Sequence, residues 1–292
     1  MTERRGLTQL TNFPRTFGAI RGVPAVGSAG PDLSDLTATT YSYVGDLGGD
    51  TADYHGILLN PDGTKLFVSG NTINDSIAYE MSTPYDPATL SVVSPDERWQ
   101  PTSISQPNCH RFNSDGTRII VVASGDDKWY WADLSTAYDL NSAGSQSSVA
   151  VPATETVAPT GLAFNADGTV MFLGGAEAAT GDELVWKYAL STPYDPSTKG
   201  AAVEVLDVSG VQTLGLFGME FAPDGLKFYS ADITANNIDQ WNLTIPYDLT
   251  TASHQASQTI AAGTNPYGLT VLNNGQIWVS HNITNRIITR WA

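Results

Sequence analysis

The sequence has little cysteine, little positive charge and no long apolar run. Its one cysteine, Cys109, excludes an internal disulfide and predicts a buried, unreactive thiol. The 14 lysines and arginines stand against 30 acidic residues, and the net charge of −16 argues against nucleic-acid binding, because phosphate contacts need clustered basic side chains. Residues 1–6 are not followed by an apolar core, so the sequence predicts no secretory signal peptide and no membrane insertion.

What the chain does contain is an internal repeat. Five Asp-Gly or Asn-Gly pairs lie between short apolar runs, and their glycines are 53, 52, 57 and 50 residues apart. These glycines are Gly63, Gly116, Gly168, Gly225 and Gly275. Asx-Gly pairs adopt positive φ at little steric cost, so each pair predicts a β-hairpin. A third strand with Trp or Tyr and a weaker fourth strand follow, and four strands per unit of this length are typical of a β-propeller blade.

Four of the five units leave the third strand through the same short motif, which we call the exit turn. It ends in a Tyr-Asp pair: Tyr85-Asp86, Tyr138-Asp139, Tyr194-Asp195 and Tyr247-Asp248. In three of the four, proline stands before the pair and lacks an N–H for strand pairing, and in all four the aspartate can bind backbone groups locally. The motif therefore predicts a fixed structural turn.

The two ends of the chain predict how the fold closes. The fifth unit stops at Trp291, the end of its third strand, while residues 40–44 form a strand with no hairpin before it. We expect these two segments to pair, which removes both open edges. The prediction is an all-β fold: a five-bladed propeller over residues 37–292, preceded by an extended arm over residues 1–36.

Residues 1–36 lie outside the repeat and mix basic and aromatic side chains with Gly and Pro. The residues singled out are Arg4, Arg5, Phe13, Arg15, Phe17 and Arg21. One interpretation is a disordered or self-packed tail. The other is an anchoring arm that becomes ordered in a groove on another subunit, where the arginines meet acidic groups and the phenylalanines fill pockets.

The candidate ligand site is the mouth of the central channel. Loops entering the innermost strands carry His55 and His110, which could bind a metal or act as acid and base. A metal would need a third ligand, and the other units offer Thr160, Phe217 and Tyr267, so we predict no metal and no cofactor.

The middle of the five innermost strands holds one acid. The residues there are Leu58, Arg111, Ala163, Glu220 and Thr270. A glycosidase needs two carboxylates, so no catalytic residue is predicted, and Glu220 is expected to pair with Arg111 across the channel as a structural contact.

The repeats resemble two groups of known proteins. The hairpin over residues 60–69 resembles the lactonase-like, YVTN-type propeller repeats, and the exit turns over residues 190–198 and 246–253 resemble repeats in structural proteins of bacteriophages, notably marine ones. The resemblance covers residues 56–292. It implies a non-enzymatic virion protein, made in the host cytoplasm, displayed on a capsid, collar or tail and attached to other virion proteins through residues 1–36, with a role in host-surface attachment.

Two alternatives stay open. One is a lactonase-like or glycan-active propeller enzyme. The other is a carbohydrate-binding module in which Trp99, Trp129 or Tyr267 stacks on a host-surface glycan.

Overall fold

The computed structural model describes residues 29–42, 54–70, 74–92, 97–212, 215–260, 265–281 and 287–291. Within them lie 21 strands and five short 3-10 helices. The six arm residues singled out above, from Arg4 to Arg21, fall outside the described residues. No helix of the described part is both long and apolar enough to cross a membrane.

The strands form five antiparallel sheets, numbered here by the order of their innermost strands. Sheet 1 contains β2 (Tyr54–Leu59), β3 (Lys65–Gly70), β4 (Asp75–Met81), β5 (Leu90–Val92) and β6 (Arg98–Trp99). Sheet 2 contains β7 (Pro107–Phe112), β8 (Arg118–Ala123), β9 (Lys128–Asp133) and β10 (Ser147–Ala150). Sheet 3 contains β11 (Thr156–Phe164), β12 (Val170–Glu177), β13 (Glu183–Leu190) and β14 (Lys199–Asp207). Sheet 4 contains β15 (Leu216–Phe221), β16 (Lys227–Asp232), β17 (Asn237–Asn242) and β18 (Ser253–Thr259). Sheet 5 contains β19 (Pro266–Val271), β20 (Ile277–His281), β21 (Ile287–Trp291) and β1 (Ala38–Ser42).

The all-β, propeller-like prediction is confirmed. The innermost strands contact one another in the order β2, β7, β11, β15, β19 and back to β2. The regular unit of four strands recurs four times and not five, because β5 and β6 both pair with β4 in sheet 1. The turn glycines have φ between 70° and 83°, as the Asx-Gly pairs predict.

The two chain ends pair as predicted. Strand β1 lies antiparallel to β21, with Ala38 opposite Trp291 and Ser42 opposite Ile287. The strand begins two residues earlier than the sequence indicates. It becomes the outer strand of sheet 5, so this sheet is built from both ends of the chain.

The exit turns are fixed structures, which confirms their structural interpretation. Each exit-turn tyrosine has φ between 56° and 59°, an unusual backbone conformation for a bulky residue. Its N–H donates to the carbonyl of the hairpin glycine, as Tyr138 does to Gly116 at 2.9 Å. A β-carbon built on that glycine would overlap the tyrosine ring. The hairpin turn therefore needs glycine, because the tyrosine of the exit turn packs directly on it.

A 3-10 helix follows each exit turn and is capped by its aspartate. These helices are Pro87–Thr89, Leu140–Ser142, Pro196–Thr198 and Leu249–Thr251. In each, the aspartate side chain accepts a hydrogen bond from a backbone N–H two residues later, for example Asp139 from Asn141 at 3.0 Å. The helix then leads into the fourth strand.

The helix Leu33–Asp35 supplies the same element for sheet 5. Asp32 caps it through the N–H of Ser34, and Leu33 is completely buried between sheets 4 and 5 against Tyr229 and Ile277. The Leu33 N–H donates to Gln240 Oε1 at 2.8 Å. Residues 29–36, placed in the arm by the sequence analysis, therefore pack on this chain's own sheets. Partner contacts of residues 1–28 stay a prediction.

Apolar side chains fill the spaces between neighbouring sheets. Cys109 is among them and is 3% exposed, as predicted. Burial raises the pKa of its thiol, which keeps the sulfur protonated and unreactive.

Candidate functional site

The channel-facing side chains come from one register position, the fifth residue before each hairpin glycine. Two of them are charged: Arg111 on β7 and Glu220 on β15. Arg111 Nη2 lies 3.7 Å from Glu220 Oε2, which confirms the predicted ion pair across the channel.

The Arg111 guanidinium lies at the centre of the channel and donates hydrogen bonds to backbone carbonyls of three strands. Its Nη1 donates to the carbonyl of His110 at 2.8 Å, and its Nη2 donates to that of Met219 at 2.6 Å and to that of Leu269 at 3.4 Å. The side chain is 6% exposed, and its Nε has no hydrogen-bond partner among the described residues. The guanidinium therefore ties sheet 2 to sheets 4 and 5 and keeps one N–H uncommitted.

Glu220 is the reachable member of the pair. Its side chain is 20% exposed, and its Oε2 accepts the Val271 N–H at 2.9 Å. Burial raises the pKa of this carboxyl, while Arg111 and the hydrogen bonds from Val271 and Thr270 oppose the rise. A carboxyl whose pKa moves toward neutrality is a better proton acceptor than an ordinary glutamate.

A cavity of about 460 Å³ opens above this pair. It lies where the innermost strands end and the hairpin turns begin. Its wall is aromatic, with Phe112, Phe164 and Phe221 near the strand ends and the exit-turn tyrosines around them. Sequence reasoning missed this cavity, because the tyrosines that wall it lie 22 residues or more beyond the hairpin glycines they cover.

The opposite mouth, where the sequence analysis placed the ligand site, is filled by side chains. The His55 ring stacks on Tyr267 with centroids 4.3 Å apart and meets Phe217 edge-on at 5.9 Å. Its Nδ1 lies 2.8 Å from Asn108 Oδ1. These residues occupy the same register position in different sheets, so they close this end of the channel together.

His110 lies elsewhere, packed between sheets 1 and 2. It takes the register position that is Ile57, Leu162, Met219 or Leu269 in the other sheets, and it is fully buried. Burial and the nearby Arg111 lower its pKa to about 3, so the imidazole stays neutral. The structure does not bring it together with His55. Within the described residues, no group of three His, Cys, Asp or Glu side chains could hold a metal ion.

The residues proposed for sugar stacking also differ from expectation. Trp129 is completely buried and Trp99 is 6% exposed, so neither presents a face to a ligand. Tyr267 is stacked on His55. The carbohydrate-binding alternative therefore loses the side chains on which it was based.

Comparison with known proteins gives similarity of structure only. No family model and no curated protein matches the sequence. A candidate 6-phosphogluconolactonase from Bacteroides fragilis has a TM-score of 0.48 at 14% identity, covering 75% of this chain and 57% of its own. A second candidate 6-phosphogluconolactonase, from Bacteroides uniformis, has a TM-score of 0.46 at 12% identity, with coverages of 71% and 55%. The periplasmic gluconolactonase PpgL of Pseudomonas aeruginosa has a TM-score of 0.43 at 15% identity, with coverages of 70% and 53%.

These findings correct the functional prediction. The prediction of a non-enzymatic bacteriophage virion protein is wrong, since the similar solved structures include proteins named as lactonases and none of these three is a virion protein. The chain spans less than two thirds of the length of each. At such identities the likeness concerns the fold alone, and the partners and location given above stay predictions.

Proposed function

We propose that this chain hydrolyses small, uncharged cyclic esters in the cavity above Arg111 and Glu220. The carrying observation is that Glu220, a reachable carboxyl whose pKa is raised, pairs with Arg111, whose Nε–H has no hydrogen-bond partner among the described residues. Both groups line the same cavity. Together they offer a base for water and a donor for a developing negative charge.

The reaction needs only these two groups. Glu220 removes a proton from a water molecule as the oxygen attacks the ester carbonyl. The resulting oxyanion is stabilised by Arg111, and the ring C–O bond then breaks while the leaving oxygen takes the proton from Glu220. A glycosidase mechanism does not fit, because Glu220 is the only carboxylate among the described residues that line this cavity.

The lining also determines the charge of the substrate. Among the described residues, Arg111 is the only basic one that lines the cavity, and both of its terminal nitrogens already bind carbonyls. A phosphate group would need further Lys or Arg donors. The aromatic wall instead suits an uncharged ring, so we expect unphosphorylated five- and six-membered lactones to be better substrates than phosphorylated ones.

Proton release from a panel of such lactones, with and without phosphate, tests the proposal. We expect Glu220→Gln to lower kcat by roughly 10²- to 10⁴-fold, the usual contribution of a general base. His55→Gln, at the opposite mouth, is the matched control and should retain the rate. In wild type, kcat/KM should fall as the pH drops through the raised pKa of Glu220. Absence of hydrolysis across the panel, or full activity of a folded Glu220→Gln variant, would overturn the proposal.

We further propose that all five sheets, including the irregular sheet 1, act as blades of one closed ring around this cavity. The closed order of contacts among the innermost strands supports it. A crystal structure with a different number of sheets around the channel would contradict it.

A further inference from the structure

The wall of the channel cavity is uneven. Sheets 2, 3 and 4 each contribute a phenylalanine, at the fourth position before the hairpin glycine, and an exit-turn tyrosine. Sheet 1 contributes Leu59 and Tyr85. Among the described residues that line the cavity, sheet 5 contributes no aromatic ring, because Val271 takes the phenylalanine position and Pro31 stands in the sequence where the tyrosine would. The cavity is therefore wider on the side of sheet 5.

The aromatic part of the wall is held by ring packing. Phe112 meets Tyr138 edge-on, with ring centroids 5.1 Å apart. Phe221 packs on Tyr247 with centroids 5.4 Å apart. Aromatic pairs at such distances stabilise one another, so a ligand meets a fixed aromatic surface on these sides.

The break in the chain explains only half of the difference at sheet 5. Pro31 belongs to the N-terminal segment that completes this sheet, so the tyrosine is lost where the chain is discontinuous. Val271 lies on the continuous hairpin of β19 and β20, where the break imposes nothing. Its neighbour Leu272 is 9% exposed and also lines the cavity. Val271 and Leu272 form what we call the aliphatic recess.

The proposed general base adjoins this recess. Glu220 Oε2 accepts the Val271 N–H at 2.9 Å. In the proposed hydrolysis the leaving oxygen takes its proton from Glu220, so the ring carbon that bears this oxygen lies beside Val271. A substituent on that carbon has the most space towards sheet 5, because aromatic side chains stand in the wall of the other four sheets.

We propose that the substrates are lactones with an alkyl chain on the ring carbon that bears the ring oxygen, and that the aliphatic recess binds this chain. The inference rests on the proposed hydrolysis, which fixes the position of the ring. The chain is apolar because Arg111 and Glu220 are the only charged residues among the described ones that line the cavity, and both act on the ring. Burial of the chain against aliphatic side chains stabilises the complex. Val271 then determines specificity by its small size.

Two pairs of probes test the recess with and without turnover. The first pair is γ-butyrolactone and γ-nonalactone, which differ by a pentyl group and are compared by kcat/KM. The second pair is cyclopentanone without and with a pentyl group at the corresponding ring atom, compared by NMR titration because these ketones cannot be hydrolysed. We expect the pentyl group to raise both kcat/KM and affinity at least about tenfold, which burial of about two methylene groups supplies.

Val271→Phe gives sheet 5 the residue of sheets 2, 3 and 4 and keeps the backbone N–H that binds Glu220. It should lower the preference for the pentyl group to less than about threefold in both pairs, because the phenyl ring takes the space of the chain. Val271→Leu, which matches Leu59 of sheet 1, is a smaller change and should give an intermediate preference. Leu59→Phe enlarges the same register position in sheet 1 and is the control, which should keep the wild-type preference.

Equal values for the two members of each pair would overturn the proposal, as would an unchanged preference in folded Val271→Phe and Val271→Leu variants. Hydrolysis of both lactones without a pentyl preference would contradict the recess alone and leave the proposed hydrolysis standing. Tight binding of the pentyl ketone with no hydrolysis of either lactone would instead overturn the proposed function, and with it the lactone as the ligand of the recess.

Discussion

Sheet 4 and sheet 5 have the same strand order but are built differently. Sheet 4 is one continuous segment, whereas sheet 5 takes three strands from the C-terminal end and its 3-10 helix and outer strand from residues 32–42. Both sheets keep the capping aspartate and the buried leucine, Asp248 and Leu249 in one and Asp32 and Leu33 in the other. The capped helix therefore belongs to the packing of the fold and does not require chain continuity.

What sheet 5 lacks is the tyrosine. Pro31 stands where Tyr247 stands in sheet 4, and a β-carbon built on Gly275 would meet nothing within 4 Å. The neighbouring contact is nevertheless kept: Lys227 Nζ donates to the Pro31 carbonyl at 3.1 Å, as Lys65 Nζ does to the Tyr138 carbonyl at 3.2 Å. The tyrosine thus covers the hairpin glycine, while the backbone at its position joins adjacent sheets.

Among the changes considered, removing residues 1–42 should reduce the stability of the protein most, because it removes the part of sheet 5 that sheet 4 builds from continuous chain. The deletion strips β1 from β21 and Leu33 from the space between sheets 4 and 5. We expect a loss of more than about 5 kcal/mol in the free energy of unfolding, a large share of a typical domain's stability. Urea unfolding measures it, with a chain lacking residues 1–28 as control. Equal midpoints for the two deletions would show that closure of sheet 5 adds no stability.

Leu33→Ala tests whether the N-terminal helix packs as firmly as the continuous ones. Leu33, Leu140 and Leu249 are each 2% exposed or less. We expect each alanine variant to lose about 2–5 kcal/mol in the free energy of unfolding, because each leaves a cavity between two sheets. Denaturant titration of the three variants checks this. A Leu33→Ala loss well below the other two would mean that sheet 5 is the looser assembly.

Gly116→Ala and Gly275→Ala compare a hairpin glycine covered by an exit-turn tyrosine with one that no side chain covers. Both glycines have positive φ, so each change strains the backbone by about 1–2 kcal/mol. Gly116→Ala should cost roughly 1–3 kcal/mol more, because the new methyl group overlaps the Tyr138 ring. Thermal unfolding measures both. Equal losses would show that the tyrosine moves aside freely.

Asp32→Ala should have the smallest effect and depend on pH. Hydrogen bonds from Ser34 lower the pKa of Asp32, as those from Thr250 lower that of Asp248. Its contribution to stability is therefore present above the unfolded-state pKa near 3.9 and is lost as the pH falls through the lower folded-state value. We expect wild type to exceed the variant by at most about 1 kcal/mol at pH 7 and to approach it below pH 3. Asp32→Asn, which keeps a capping oxygen, is the control. A difference that persists unchanged at pH 2 would contradict this account.

The sequence predicts the parts of this fold whose signals are local. Asx-Gly pairs identify the hairpins, and the unpartnered strands at the two ends predict their pairing. The helix at Leu33 was missed because Pro31 replaces the tyrosine that marks the other exit turns, although Asp32-Leu33 repeats Asp139-Leu140 and Asp248-Leu249. Alignment on that dipeptide would have moved the domain boundary from residue 37 to residue 32.

The candidate site was predicted only in part. Arg111 and Glu220 share one register position, so their pairing follows from the strand alignment. The position of the cavity does not, because it depends on which mouth the large side chains fill. His55, Phe217 and Tyr267 fill one mouth, and the exit-turn tyrosines surround the other without blocking it.

Because β1 pairs with β21, sheet 5 cannot be completed until the ribosome has synthesised nearly the whole chain. Ser42 and its partner Ile287 are 245 residues apart, a distance a ribosome covers in roughly 12–50 s at about 5–20 residues per second. During that interval β1 has no strand to join, and its unpaired edge is open to wrong partners. A circular permutant that encodes residues 29–42 after β21 would shorten the wait to a few seconds. Comparing its yield of soluble protein with that of the natural chain order would measure how much protein is lost to misfolding or aggregation while β1 is unpaired.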